Sequence, residues 1–167
     1  MTSPLHASPW RIAADTGGTF TDCHALDPQD RESRCKVLST GHLRACLTGR
    51  TGRHILVSGL PPLPRDFLTG FQVRVAGGGD TFRVTHWDCE TSEITLNAEP
   101  PACWQNGSLL ELGTGEQAPV LGARILTNTP PGQAFPALKL RIATTRATNA
   151  LLERKGSRIA LFITRGF

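Results

Sequence analysis

No apolar run in this 167-residue chain approaches membrane-spanning length. Its first nine residues are polar and contain proline, without the apolar centre of a secretory signal. The five cysteines (Cys23, Cys35, Cys46, Cys89, Cys103) are odd in number and show no Cys-x-x-Cys pair, and no His-x-x-x-His spacing accompanies them. That disfavours a zinc site. The net charge of +4 comes from scattered single residues. Only Glu153-Arg154-Lys155 with Arg158 approaches a cluster, and no stripe mixes basic and aromatic residues, so nucleic acid is not an expected partner. No glycine-rich stretch ends in Gly-Lys-Ser/Thr, which removes a Walker loop. Charged residues make up 19% and apolar residues 39%, enough for a buried core. These absences leave a single domain, or a domain carrying a smaller inserted one, with free thiols in a reducing cytoplasm and no membrane.

What is present is concentrated in Asp15-Thr16-Gly17-Gly18-Thr19-Phe20-Thr21-Asp22. The segment joins two β-like runs, Arg11–Ala14 and Thr19–Leu26. Two such runs meeting at Gly-Gly read as a hairpin, because that pair tolerates the positive φ of a tight turn. Glycines leave backbone N–H groups bare, the threonines add hydroxyls, and a carboxylate stands on each side. Bare N–H groups can wrap a phosphate, and a nearby carboxylate can hold magnesium through water. A solvent-exposed turn with good turn chemistry is the competing reading.

The rest of the chain divides into zones. Residues 1–39 read as an antiparallel meander, with a third run at Arg34–Leu38 after the turn Asp27-Pro28-Gln29-Asp30. Residues 40–133 are rich in Gly and Pro. They hold short runs at His54–Ser58, Gln72–Val75, Thr81–His86, Glu93–Leu96, Ser108–Leu112 and Arg124–Leu126. That spacing predicts a β-rich insert, a small barrel or sandwich. Arg124 has a second reading, as part of a short helical turn beginning near Glu116. Residues 134–167 read as strand (Leu138–Ala143), helix (from Thr144-Thr145 to Lys155-Gly156) and strand (Arg158–Thr164), a βαβ unit.

Two blocks together resemble the hydantoinase A/5-oxoprolinase family: Asp15–Asp22 followed by Lys36-Val37-Leu38-Ser39, and Ala143–Gly156 continuing through Ile159–Phe167. The resemblance implies an α/β fold, the N-terminal part of an actin-like (ribonuclease H-like) ATPase lobe, built from 1–39 and 134–167 with the β-rich insert between. It implies an ATP-dependent hydrolase that phosphorylates and opens a cyclic amide, with Mg²⁺ and ATP as cofactors. Asp15 would be catalytic, orienting magnesium-bound water. Gly17, Gly18 and Thr19 would offer amides and a hydroxyl to the phosphates, and Thr21 and Asp22 would shape the loop or the metal shell. Thr144, Thr145, Thr148 and Asn149 would stand on the substrate side, or Thr144 and Thr145 would merely cap the helix.

The family runs from its third strand into a long helix, whereas here the β-rich zone occupies that interval. The resemblance also implies that the chain is an N-terminal piece. Its partner would then be the remainder of a larger chain or a second subunit, and a homo-oligomer is compatible with that. Two alternatives carry weight. One is a β-barrel interaction module on a kinase-like scaffold, with Trp87, Trp104, Phe71 and Phe82 either as a binding face or as barrel core. The other is the ATPase lobe of a related ketone carboxylase. Cysteine or histidine catalysis is not expected, because Cys23 and His24 are neighbours on a strand and point to opposite faces, and His42, His54 and His86 show no partner pattern.

Overall fold

The computed structural model describes residues 8–155, 158, 160 and 162–166. It is a mixed α/β structure, mostly sheet, with two sheets. The first contains β1 (Trp10–Thr16), β2 (Phe20–Leu26) and β3 (Glu32–Leu38) as an antiparallel meander. A distant strand closes it: β10 (Leu138–Thr144) lies parallel to β1, with Asp15 opposite Ala143 and Thr16 opposite Thr144. The strand order is β10-β1-β2-β3.

Between β3 and β10 the chain builds a closed six-stranded barrel, as the turn spacing predicts. Its strands are β4 (His42–Thr51), β5 (His54–Ser58), β6 (Gln72–Val75), β7 (Phe82–Asp88), β8 (Glu93–Leu96) and β9 (Leu109–Gly113). The order is β4-β5-β8-β7-β6-β9, and β9 pairs with β4 to complete the circle. Closure removes the free edges that a small sheet would otherwise expose. Leu47, Ile55, Val73, Ile94, Leu110 and Leu112 fill the interior. The aromatic binding face is overturned. Trp87, Trp104 and Phe71 are buried, and Phe82 packs edge-on against Trp104 with ring centroids 5.3 Å apart. Apolar rings gain more from excluding water than from display, so they occupy the core.

Helix α1 (Ala118–Thr127) follows the barrel and includes the run Arg124–Leu126, which the helical reading of Arg124 anticipates. It is buried along most of its length. Ala118, Leu121 and Ile125 join the barrel core, while Ala123 and Leu126 join Ile12, Ala14, Cys23 and Ala25 on the sheet. The helix thus packs between the barrel and the sheet and joins their cores. Asn128 ends it in the left-handed conformation, φ 50°, with its N–H donating to the last turn.

The short helix α2 (Arg146–Leu152) follows β10. The expected strand at 158–164 does not form among its described residues, 158, 160 and 162–164. Phe162 and Ile163 are instead exposed, with no neighbouring strand to bury them. Gly156, Ile159, Leu161 and Phe167, also assigned by sequence, lie outside the described residues.

Candidate functional site

The turn joining β1 to β2 and the start of α2 meet at one cleft of about 520 Å³. Gly17 and Gly18 line one wall, and Thr144, Thr145 and Asn149 another. The parallel pairing of β1 with β10 produces this convergence. It brings Thr16 opposite Thr144, so the two blocks, more than 120 residues apart, end side by side. The Thr145 N–H donates to the Thr16 carbonyl at 3.2 Å, and the Thr145 hydroxyl lies 3.5 Å from the same oxygen. Asn149 Nδ2 donates to Thr145 Oγ1 at 3.3 Å. Thr145 sits at the N-cap of α2 but makes no side-chain cap bond, so capping does not account for it. Thr148 is exposed and lies outside the cleft lining.

The glycine pair works differently from the turn chemistry expected. Neither Gly17 nor Gly18 has positive φ. The Gly17 N–H donates to the Phe20 carbonyl at 3.0 Å and so closes the turn. The Gly18 and Thr19 N–H groups are not used in closing the turn. A Cβ on Gly17 would lie 3.3 Å from the Phe20 oxygen, tighter than an ordinary contact, whereas one on Gly18 would stand 4.0 Å from Asn149 Nδ2 without crowding it. The Thr19 carbonyl accepts from the Ser39 N–H at 2.9 Å, which ties the turn to the end of β3.

Thr21 is fully buried and shapes the loop from beneath. Its hydroxyl lies 3.3 Å from Thr16 Oγ1 and 3.2 Å from Ser39 Oγ, and Ser39 Oγ donates to the Gly17 carbonyl at 2.9 Å. Asp15 and Asp22 are opposite one another across β1 and β2 and lie on the other face of the sheet. That face forms a second concavity of about 910 Å³ with His24, Arg34, Lys36 and Arg141. Asp22 pairs there with Lys36 Nζ at 3.1 Å. The sheet therefore separates the turn's two chemistries. Amides and hydroxyls face the cleft, and carboxylates stand at the rim of the opposite face.

Sequence reading missed Ser39, Thr40, Glu116 and Gln117, which complete the cleft from the β3–β4 connection and the entry to α1. Glu116 is held by Arg124, whose Nε and Nη2 donate to its carboxylate at 2.7 Å each, and by the Thr114 hydroxyl at 2.9 Å. Arg124 Nη1 also donates to the carbonyl of Pro130 at 3.0 Å, and its guanidinium lies 4.6 Å from the Phe135 ring centre. The Arg124 guanidinium holds the Glu116 carboxyl below its ordinary value, against burial. Gly41 seals this corner: its φ is +78°, and a Cβ there would fall 2.3 Å from the Glu116 carbonyl oxygen. The available signal was the Glu116/Arg124 pair flanking a Pro near the start of a helix. No group of three or more His, Cys, Asp or Glu side chains could hold a metal ion among the described residues.

Residues 114–167 match the hydantoinase/oxoprolinase N-terminal region. The matched stretch takes in α1, β10 and α2, so the helix falls with the sheet it packs on rather than with the barrel that precedes it. The 5-oxoprolinase 1 of Arabidopsis thaliana is 44% identical over 61 residues, covering 31% of this chain and 5% of that protein. The chain thus matches a small fraction of the length of its curated relative. No solved structure matches. No helix among the described residues is long and apolar enough to cross a membrane.

Proposed function

We propose that this chain supplies the first phosphate-binding wall of an ATP-dependent hydrolase that opens a cyclic amide, in the manner its resemblance to hydantoinases and oxoprolinases implies. The observation that carries the reading is the convergence of Gly17, Gly18, Thr145 and Asn149 on one cleft. An unactivated lactam is a poor electrophile. Transfer of a phosphoryl group to its oxygen creates a leaving group and opens the carbonyl to water. Such chemistry needs donors fixed around phosphate oxygens, and these side chains and amides are of the required type.

The donor set fits a phosphate. Gly18 and Thr19 carry amides at an exposed turn, and the hydroxyls of Thr40 and Thr145 stand around the cleft. The Ser39 hydroxyl is already donated to the Gly17 carbonyl, so the Thr21–Ser39–Gly17 chain holds the turn's shape and leaves those donors to a ligand. Asp15 is an exposed carboxylate on the opposite face of the sheet from the cleft amides, with Asp22 across from it, and would hold Mg²⁺ through water at the rim of the turn. Magnesium would supply charge neutralisation on the phosphates. The actin-like lobe is part of this proposal. Its support is the meander with a parallel fourth strand, the helix α1 packed on the sheet, and the family match. The remaining walls of the site belong to a larger chain or to a partner subunit.

The test is ATP turnover by the intact protein with and without a lactam such as 5-oxoproline. Expected is substrate-dependent turnover that Asp15→Ala abolishes while the circular dichroism spectrum is unchanged. Full turnover in Asp15→Ala would refute the role given to this carboxylate. For the isolated chain, calorimetric titration with Mg-ATP should give weak binding or none, since the donors described around the cleft suit the phosphates alone. Tight stoichiometric binding would overturn the half-site.

A further inference from the structure

Cys23 and Cys35 face one another directly across β2 and β3. The ladder between these strands carries hydrogen bonds from the Ser39 N–H to the Thr19 carbonyl at one end and from the Asp27 N–H to the Arg31 carbonyl at the other. Counting in steps of two from either end makes Cys23/Cys35 a hydrogen-bonded pair. Such pairs hold their Cα atoms about 5.5 Å apart, inside the range of a disulfide, but their Cβ atoms also about 5.5 Å apart, wider than the roughly 4 Å of a relaxed bridge, so closing the bond draws β2 and β3 together locally. Both side chains point toward α1, and they meet beneath Gly122. A Cβ on Gly122 would lie 2.4 Å from Cys23 Sγ and 3.7 Å from Cys35 Sγ, so the two sulfurs converge on one point under a residue with no side chain. Cys35 Sγ is also 3.6 Å from the Gly122 carbonyl oxygen.

We propose that Cys23 and Cys35 form a reversible dithiol–disulfide site in the sheet beneath α1. The two thiols differ in exposure: Cys23 is buried, whereas Cys35 is half-buried on the edge strand β3. Cys35, on the edge strand and partly open to solvent, is the thiol an oxidant reaches, and Cys23, buried beside it, is the resolving thiol. With a peroxide as oxidant, the Cys35 thiolate attacks one oxygen, the O–O bond breaks, and a sulfenic acid and one water result. The Cys23 sulfur then attacks the Cys35 sulfur, the S–O bond breaks, and the S–S bond forms with loss of a second water. Two thiols are oxidised by two electrons, and one peroxide is reduced to two waters. The same bond forms by exchange with a small disulfide such as oxidised glutathione, which leaves as two thiols. Cys46, Cys89 and Cys103 stand on the barrel strand β4 and on loops after β7 and β8, and serve as internal controls.

The experiment is treatment of the native full chain with hydrogen peroxide, followed by denaturation, alkylation and peptide mapping by mass spectrometry. Expected is a linked Cys23–Cys35 peptide lighter by two hydrogens, loss of both residues from the alkylated pool, recovery with dithiothreitol, and an unchanged circular dichroism spectrum. In Cys23→Ser, the Cys35 sulfenic acid should persist and be trapped by dimedone. The proposal is overturned if both cysteines are still fully alkylated once Cys103 is oxidised. A link that forms only in denaturant, or one joining either residue to Cys103 instead, overturns it equally. None of these outcomes depends on ATP or a lactam, so the test stands apart from the reading of the cleft.

Discussion

The barrel and the four-stranded sheet use the same kind of strand to opposite ends. The barrel closes on itself and packs Leu47, Ile55, Ile94 and Leu110 completely out of water. The sheet buries one face under α1 and leaves the other as an open, charged concavity. Its C-terminal neighbours hold apolar side chains in solvent: Ile142 is 54% exposed, Leu151 79% and Phe162 92%. A barrel without edges stabilises itself. A sheet covered on one side has faces and edges to offer, and the sequence blocks that resemble the hydantoinase/oxoprolinase family lie on it or at its end. Stability is thus concentrated in the barrel and candidate chemistry in the sheet, with α1 between them.

Truncation inside the barrel should give the largest effect. Phe71 is fully buried, and Phe71→Ala should cost about 3–5 kcal/mol, the usual range for an aromatic deleted from a packed core. Ile142→Ala on β10 removes a side chain that is already more than half in water, and should change stability by no more than about 0.5 kcal/mol. Urea unfolding of the two variants measures the contrast. Equal losses would show that the sheet is as tightly held as the barrel.

The join between the units comes next. Arg124 is buried and spans Glu116, the Pro130 carbonyl and Phe135, so Arg124→Ala leaves the Glu116 carboxylate and several carbonyls without their donor. Loss of one partner of a buried pair costs about 3–5 kcal/mol, and the partial exposure of Glu116 brings the expected loss to the lower end. The pair also predicts a pH dependence. The Glu116 carboxyl is lowered in the folded state, chiefly by its bonds with Arg124. Its contribution is therefore fully present above the ordinary glutamate value and is lost as the pH falls through the folded value. Unfolding curves from neutral pH into acid should show a loss that is missing in Glu116→Gln.

How much of this was legible in the sequence follows the same division. β1, β2 and β3 announce themselves by period-two runs between turn residues, and most barrel strands by their regular breakers. β4 was missed: its inward residues Leu43, Ala45 and Leu47 alternate with charged and small polar groups, and a bulge near Gly49 interrupts the register. α1 was only half seen because it is buried against two cores. It has no polar stripe, so its apolar residues show no clean helical period. The two threonine blocks were found, but the wall formed by Ser39, Thr40 and Glu116 was not. It depends on Gly41 meeting the Glu116 backbone across 75 residues, a contact no local pattern encodes. The Gly-Gly turn was located correctly and explained wrongly. Positive φ was the expected reason for the glycines, but neither has it; the close Phe20 oxygen accounts for Gly17, and nothing in the structure requires a glycine at Gly18.

The smallest predicted effect tests how closely α1 lies on the sheet. Alanine is the better helix former by about 1 kcal/mol, so an exposed glycine in α1 would be improved by Gly→Ala. Gly122 should respond with the opposite sign. The added Cβ would lie 2.4 Å from Cys23 Sγ and 3.2 Å from Cys23 Cβ, which forces helix and strand apart. Overpacking of this kind costs about 1–3 kcal/mol, and the propensity gain offsets part of it. Cys23→Ala removes the sulfur that the new methyl meets. The double variant Gly122→Ala/Cys23→Ala should therefore be more stable than the sum of the two single changes, and a double-mutant cycle by urea unfolding measures that coupling. Simple additivity would mean that the helix shifts freely over β2. The sheet would then be loosely covered on its second face as well, and the contrast with the barrel would be sharper than the packing beneath Gly122 implies.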